Sequence, residues 1–189
     1  MNKTKRKIFE TSMKLFSEKG YDATSIEEIT AVVGVAKGTL YYHFSSKEEI
    51  FNFLVDEGMK LLKNSIEIKT SKFENAVDKL EAVSLVQLKI IKKYESLIDI
   101  VLSQLWGSEK RNKFCQEKVE EYISVIEKIV DDGIKKGDIK NCNSKVLSTE
   151  IFSLISSIVV YKNSSKDEEF DIMKLYEEYN KNFFENLRR

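Results

Sequence analysis

The chain has 189 residues, of which 42% are apolar and 33% are charged, so it can bury a core in one domain or two small ones and keep a solvated surface. Its formal net charge is zero, and it contains no proline and only seven glycines. Collagen-like repeats, proline-rich disorder and turn-rich β-sandwiches fit this composition poorly. It favours an all-α fold built from long helices.

Apolar residues at helical spacing predict a first helix over residues 3–19, which Gly20 terminates. Ser25 and Glu28 have the spacing of a capping box, in which the Ser25 hydroxyl accepts from the Glu28 amide and Glu28 reaches back. They predict the start of a second helix that ends at Gly34.

A third segment, residues 36–44, begins two residues after that glycine, and this spacing indicates a helix-turn-helix arrangement. Ala36, Leu40 and Phe44 share one face and should be buried. The opposite face is polar and aromatic, which suits a short helix that enters the major groove of DNA.

The exposed face of this third helix carries groups that fit particular contacts with DNA. Lys37 can donate to guanine, Thr39 can contact a neighbouring base, and Gly38 lets the backbone approach the bases closely. The side chains better placed for phosphates are Tyr41, Tyr42, His43 and Lys47. Two alternatives stay open: packing of Tyr41 between the first and fourth helices, and a hydrogen bond between His43 and a nearby carbonyl.

A second capping box, Ser46 with Glu49, predicts a fourth helix over residues 47–68, whose N-terminus beside Lys47 offers an additional anion site. Segments with helical apolar spacing follow at residues 73–94, 96–106, 109–136, 144–163 and 168–188. The sequence therefore predicts nine helices and no strand.

Charge is distributed unevenly along the chain. Residues 1–47 carry a net charge of +3 and residues 48–189 carry −3. Four of the positive charges lie in one short cluster, Lys3, Lys5, Arg6 and Lys7. A basic first segment favours an anionic partner, and the alternative is an ordinary solvated helix start.

The segment TSIEEITAVVGVAKGTLYYHFSSKEEIF, residues 24–51, resembles the DNA-binding motif of the TetR family of bacterial transcriptional regulators, and the resemblance extends over about residues 8–51. It implies a dimeric, all-helical, ligand-responsive repressor with the third helix in the major groove. It adds Ser25 to the DNA-contacting positions named above. Ala36 stands where the family usually has a serine cap, a loss of about 1 kcal/mol that would leave the third helix looser before DNA orders it.

The resemblance divides the chain into a helix-turn-helix DNA-binding domain, residues 1–47, and an effector-binding and dimerisation domain, residues 48–189. The eighth and ninth helices have broader apolar faces than one core contact needs, which predicts a second interface. The resemblance implies that this interface is a four-helix bundle across the two-fold axis of a homodimer. The residues assigned to this interface are Ile151, Ile155, Ile158, Tyr176 and Phe183. The alternative is a thick core within a single chain.

In such a fold the fourth to seventh helices enclose a site for a small effector. Gln87 stands out there because apolar residues surround its position on the fifth helix, and a buried amide needs partners. Either a protein group or a ligand satisfies that amide. The other residues assigned to the site are the aromatic side chains Phe53, Tyr94, Trp106 and Tyr122.

Several other kinds of protein fit the sequence poorly. The most apolar stretch, residues 151–161, is shorter than the ~20 residues of a membrane span, and Glu10 interrupts any secretory signal, so we expect a cytoplasmic protein without a membrane partner. Cys115 and Cys142 lack zinc-site or disulfide spacing, so we expect free thiols and no metal or other cofactor.

Two functional classes compete with a DNA-binding regulator. An enzyme is disfavoured because no catalytic motif occurs and the one histidine lies in the DNA-reading segment. A helical adaptor that does not bind DNA would show no salt-dependent affinity for duplex DNA, and the basic first segment and the recognition face favour the regulator. We therefore expect a repressor that leaves a palindromic operator when a small apolar ligand binds.

Overall fold

The computed structural model describes residues 2–164 and 171–188, and nine α-helices account for most of these residues. The helices are α1 (Lys3–Lys19), α2 (Ile26–Val33), α3 (Lys37–His43), α4 (Lys47–Thr70), α5 (Ala76–Lys93), α6 (Glu95–Ser103), α7 (Lys110–Lys136), α8 (Ser144–Ser164) and α9 (Ile172–Leu187). The described ranges contain no strand, only an isolated bridge between Ile139 and Arg188. The predicted all-α fold with nine helices is confirmed.

The first helices begin and end where their local sequence requires. Asn2 caps α1 by accepting from the Lys5 amide at 2.8 Å. Gly34 ends α2 in the left-handed conformation, with φ 77° and ψ 40°, which is strained for residues that carry a Cβ. Its amide donates to the Thr30 carbonyl at 2.9 Å. These local signals place α2 and α3 three residues apart.

Packing divides the chain into two compact units, each formed by two stretches of sequence. One unit comprises Met1–Leu61 with Lys93–Val119, and the other comprises Leu62–Lys92 with Glu120–Arg189. This division follows packing, whereas the predicted boundary between residues 47 and 48 is a division by function. That functional boundary stays a prediction.

The core of the first unit joins α1 to α4 with side chains from α6 and α7. Phe16, Tyr21 and Phe51 form an aromatic cluster with ring centroids 5.2–6.4 Å apart. Leu97 and Cys115 extend the same core beyond the helix-turn-helix segment. Burial raises the pKa of the Cys115 thiol to about 11, which makes it unreactive, while the free Cys142 is exposed.

In the second unit, the turn after α7 fastens the start of α5. Asp138 accepts from the Ala76 amide at 2.9 Å, and Gly137 adopts a φ of 83°. A Cβ at Gly133 would lie 2.5 Å from the Cβ of Ala76, so glycine lets α7 pass close to α5. Buried side chains of α5, α7, α8 and α9 fill this unit's core, among them Leu80, Val83, Tyr122, Ile126, Ile151 and Phe184.

None of the helices in the described ranges is both long and apolar enough to cross a membrane.

Candidate nucleic-acid interface

The α2–α3 segment is fixed from both ends of α2. Ser25 accepts from the Glu28 amide at 3.1 Å, which confirms half of the predicted capping box. The Glu28 carboxylate binds Lys19 instead of reaching back to the cap. At the other end of α2, the Lys7 ammonium donates to the Val33 carbonyl at 2.7 Å.

Helix α3 is anchored by two apolar residues and presents its remaining side chains to solvent. Leu40 and Phe44 are fully buried in the core, as predicted. Ala36 is exposed at the N-cap, where it makes no side-chain capping bond, because the chain has not yet turned into the helix. The prediction that Ala36 is buried is therefore wrong.

The exposed face of α3 is aromatic, as the sequence predicts. Tyr42 is 85% exposed and Tyr41 is 45% exposed, which removes the alternative that Tyr41 is a core residue. The His43 ring lies edge-on to Tyr42 with centroids 5.1 Å apart. A Cβ built at Gly38 meets nothing within 4 Å, so the fold itself does not require glycine there. Close approach of DNA to the α3 backbone at this glycine stays a prediction.

Lys37, the expected base contact, is held by an acidic neighbour. Its ammonium lies 2.5 Å from Glu27 Oε1 in the first turn of α2. It also lies 5.9 Å from the centroid of the Tyr41 ring. Sequence spacing did not reveal this pair, because the two residues are ten positions apart on different helices.

Lys47 makes internal contacts that the sequence did not predict. Its ammonium donates to the carbonyls of Tyr21 and Thr24 at 2.9 Å each and to the Asp22 carbonyl at 3.4 Å. It also lies 4.3 Å from the centroid of the Tyr21 ring. Since an ammonium has three donors, this side chain has none to spare for a phosphate while these bonds persist. The structure thus places Lys47 as a positioning residue, and its expected phosphate contact stays a prediction.

The start of α4 is held by a serine cap and by a carboxylate that binds the residue before the cap. Ser46 accepts from the Glu49 amide at 3.0 Å, as a cap should. The Glu49 carboxylate accepts from the amide and hydroxyl of Ser45, both at 2.6 Å. These bonds lower the pKa of Glu49, so it remains charged. The Glu49 carboxylate thus binds Ser45, which precedes the first turn of α4, and the expected anion site at the first-turn amides stays a prediction.

The N-terminal basic cluster is also engaged within the protein. Lys5 lies 4.8 Å and 4.5 Å from the ring centroids of Phe44 and Phe53, and Arg6 pairs with Glu10 at 2.8 Å. Lys7 also bonds the Val33 carbonyl, so three of the four basic residues in this cluster contact other groups of the protein. The helix-turn-helix face, rather than this cluster, is the stronger candidate for contact with DNA.

Gln87, assigned to the effector site, is satisfied by protein groups. It is buried in the second unit, where its Oε1 accepts from the Tyr122 hydroxyl at 2.8 Å and its Nε2 donates to the Phe152 carbonyl at 3.2 Å. Burial raises the pKa of Tyr122, which keeps the hydroxyl protonated as the donor. The sequence left open whether a protein group or a ligand satisfies this amide, and in the structure protein groups do so.

The other three residues assigned to the effector site belong to the first unit, whereas Gln87 and Tyr122 belong to the second. Phe53 and Tyr94 pack against the core of the first unit, and Trp106 is 83% exposed after α6. Aromatic residue type alone does not show which core a side chain enters. A groove of about 320 Å³ opens on the second unit between α4, α5 and α9, and none of the five assigned residues lines it.

Three of the five residues assigned to the dimer interface are buried within the single chain and therefore need correction. Ile151, Ile158 and Tyr176 are buried in the second unit, and the Tyr176 hydroxyl donates to the Glu81 carbonyl at 3.2 Å. Phe183 is half-buried, and the side chain of Ile155 lies outside the described residues. A helical wheel identifies an apolar face without showing whether that face meets the chain's own core. Among the side chains that the structure describes on α8 and α9, large apolar ones that face solvent are Val146, Val160, Tyr161 and Leu175.

Known sequences are similar to this chain mainly in the helix-turn-helix segment. Residues 8–53 match the family of bacterial regulatory proteins called tetR. IcaR of Staphylococcus aureus, a negative transcriptional regulator of the biofilm operon icaADBC, is 40% identical over 76 residues, which is 40% of this chain. The matched segment spans only 41% of the length of IcaR.

Two solved structures are similar over nearly the whole chain. A proposed fatty acid metabolism regulator from Clostridium perfringens has 32% identity and a TM-score of 0.87, and the match covers 97% of this chain and 99% of that one. AibR, solved with isovaleryl coenzyme A and operator DNA, has a TM-score of 0.80 over 96% of this chain and 98% of its own. At 21% identity, AibR shows the fold alone. The helix-turn-helix match and the full-length relative together establish that the chain belongs to the TetR family of bacterial regulatory proteins, which are DNA-binding transcriptional regulators and not enzymes.

Proposed function

We propose that the chain represses transcription as a homodimer on a palindromic operator and leaves that operator when a small apolar ligand binds. The observation that carries the proposal is the solvent-facing surface of α3. Its largest side chain, Tyr42, is 85% exposed, and Gly38 leaves the backbone open to a close partner. A short helix that is anchored by its opposite face and presents donors and aromatic rings fits a major groove. The proposed contacts are those of Ser25, Lys37, Gly38, Thr39, Tyr41, Tyr42 and His43.

Dimerisation follows from what an operator of this kind requires. One α3 covers one half-site, and two copies related by a two-fold axis read an inverted repeat with half-sites about 34 Å apart. The exposed apolar side chains of α8, Val160 and Tyr161, support a contact with a second copy, and Val146 and Leu175 extend the same solvent-facing set. Small side chains at Ser153 and Ser157 lie on the exposed side of α8 and would let two helices approach.

The nature of the ligand is proposed from the relatives. The C. perfringens protein is described as a fatty acid metabolism regulator, and AibR was solved with an acyl coenzyme A. An acyl chain is a small apolar ligand of the kind proposed for this chain. Repression, rather than activation, is favoured by the name of IcaR as a negative regulator.

Selection of duplexes from a randomised pool by the purified protein tests the DNA-binding half of this proposal. We expect an inverted repeat, bound by two copies and released as salt increases. A variant with both Lys37→Ala and Tyr42→Ala serves as the control that lacks the recognition face. Recovery of no common sequence, or equal recovery by wild type and control, would favour an adaptor that does not read DNA.

The ligand half is tested separately on the selected duplex. Fatty acids and acyl coenzyme A compounds of several chain lengths are screened by thermal shift, and each stabilising compound is added to the protein–duplex complex. A ligand releases the duplex only if it binds the DNA-incompetent arrangement more tightly. Compounds that stabilise the protein but leave the complex intact would contradict ligand-induced release.

A further inference from the structure

Glu27 binds the lysine that we expect to contact a base. The Lys37–Glu27 pair, at 2.5 Å, joins the first turn of α2 to the first turn of α3, and its two side chains are 53% and 66% exposed. The hydrogen bond to Lys37 lowers the pKa of Glu27, and the same bond raises the pKa of Lys37. Both groups are therefore charged near neutral pH, and the pair has no net charge.

A carboxylate beside the recognition helix is unfavourable for binding DNA in general, since phosphates repel it. We propose that Glu27 is a specificity-determining residue, which fixes the Lys37 ammonium in place and withholds its charge from DNA that offers no matching base. The inference rests on the proposed operator binding and concerns how that binding discriminates between sequences.

The chemistry of the ammonium explains how one acid can have this effect. Lys37 has three N–H donors, and the bond to Glu27 uses one of them. Two donors remain for the acceptors of a matching base, so the lysine can read that base without leaving Glu27. On other sequences only phosphates attract the lysine, and Glu27 competes with them for it. Nonspecific DNA then gains little from the positive charge of Lys37.

Glu28 provides a matched control in the next position. Both acids lie in the first turn of α2, so removing either charge changes the interaction with the helix dipole and the repulsion from DNA to a similar extent. The Glu28 carboxylate binds Lys19 at the end of α1, however, and makes no contact with Lys37. Any difference between the two substitutions therefore reports the bond to Lys37.

The experiment compares Glu27→Gln and Glu28→Gln on two duplexes over a series of salt concentrations. One duplex is the sequence selected by the wild-type protein, and the other has the same composition in scrambled order. For Glu27→Gln we expect affinity for the scrambled duplex to rise about fivefold more than affinity for the selected one. The salt dependence on the scrambled duplex should steepen by about one released ion for each chain bound. For Glu28→Gln both affinities should rise equally, so that their ratio is unchanged.

The same comparison in a Lys37→Met background identifies the mechanism. There Glu27→Gln should leave the ratio of affinities unchanged, because no ammonium remains to be released. The inference is overturned if Glu27→Gln and Glu28→Gln change the ratio equally, or if the effect of Glu27→Gln persists in the Lys37→Met background. A wild-type protein that selects no sequence overturns the proposed operator binding as well, which is a distinct result from equal behaviour of the two variants.

Discussion

The Tyr122 hydroxyl donates to the Gln87 side-chain carbonyl at 2.8 Å, across 35 positions of sequence and inside a buried core. The pair links α7 to α5, and the Gln87 amide continues the link to the Phe152 carbonyl of α8. Three helices of the second unit are thus connected by polar groups that are largely buried. Such a network is stable only when all its members are satisfied.

Removing both members of this pair should therefore cost less than the sum of removing each one alone. Gln87→Leu leaves the Tyr122 hydroxyl without its acceptor, and Tyr122→Phe leaves the Gln87 carbonyl without its donor, so each should reduce the free energy of unfolding by about 1–3 kcal/mol. The double variant should lose clearly less than the sum of the two. Urea unfolding of the four proteins measures this, and additive losses would show that the bond contributes nothing.

Gly38→Ala should separate folding from DNA binding. The position has an ordinary helical backbone and open space around it, so alanine should stabilise the free protein by about 0.5–1 kcal/mol through its higher helix propensity. The added methyl group should weaken binding to the selected duplex if the backbone approaches the bases there. Thermal unfolding and fluorescence anisotropy measure the two effects. Unchanged affinity would mean that the close approach does not occur at this residue.

Lys37 and Tyr42 should contribute to DNA binding in different ways. Lys37→Ala should cost about 1–3 kcal/mol on the selected duplex and relax the preference at one base position. Tyr42→Phe should weaken binding about equally on all sequences, because a phosphate contact carries no base information. Affinities for a series of singly substituted duplexes test this. Identical base preferences for wild type and Lys37→Ala would exclude Lys37 from base readout.

Val160→Glu should dissociate the proposed homodimer without unfolding the chain. The Val160 side chain is 61% exposed on α8, so a carboxylate there is solvated in the single chain but would be buried against a second copy. Val32→Glu is the matched control, since this valine on α2 is 60% exposed. Light scattering at micromolar concentration should show a dimer for wild type and the control, and a smaller species for Val160→Glu. A dimeric Val160→Glu protein would move the interface elsewhere.

Ala36→Ser should stabilise the start of α3. Ala36 occupies the N-cap with extended backbone and provides no side-chain acceptor, so a serine hydroxyl there could accept from an unpaired amide of the first turn. We expect a gain of about 1 kcal/mol in the free energy of unfolding. Ala31→Ser, at an exposed position inside α2, should instead cost about 0.5 kcal/mol. Equal effects of the two substitutions would show that no cap forms.

The helices were predictable because their signals are local. The spacing of Ile8, Leu15 and Phe16 places the buried side of α1, and Gly34 together with Ser46 marks where neighbouring helices end and begin. The exposed face of α3 followed from the same rule. A period of 3.6 residues depends only on residues within a few turns of one another.

The partners of individual side chains were not predictable, since they depend on which helices meet. The spacing of apolar residues on α5 does not indicate that the Tyr122 hydroxyl bonds Gln87. Likewise, the apolar faces of α8 and α9 do not show that Ile151 and Tyr176 pack inside the single chain. From the sequence, Lys37 and Lys47 are both expected to be available to DNA. In the structure Lys37 binds Glu27 on another helix, and Lys47 binds main-chain carbonyls. These contacts arise from tertiary packing.

The contacts of Lys47 have a mechanical consequence. Its ammonium ties the first turn of α4 to the carbonyls of the turn that precedes α2, so moving either segment alone would strand a cation and its acceptors. Since α2 and α3 are in turn anchored in the same core, a rotation of the first turn of α4 would carry the recognition helix with it as a rigid body. We therefore expect the tilt of α3 to follow the direction of the first turn of α4, with the bonds of Lys47 as the link between the two.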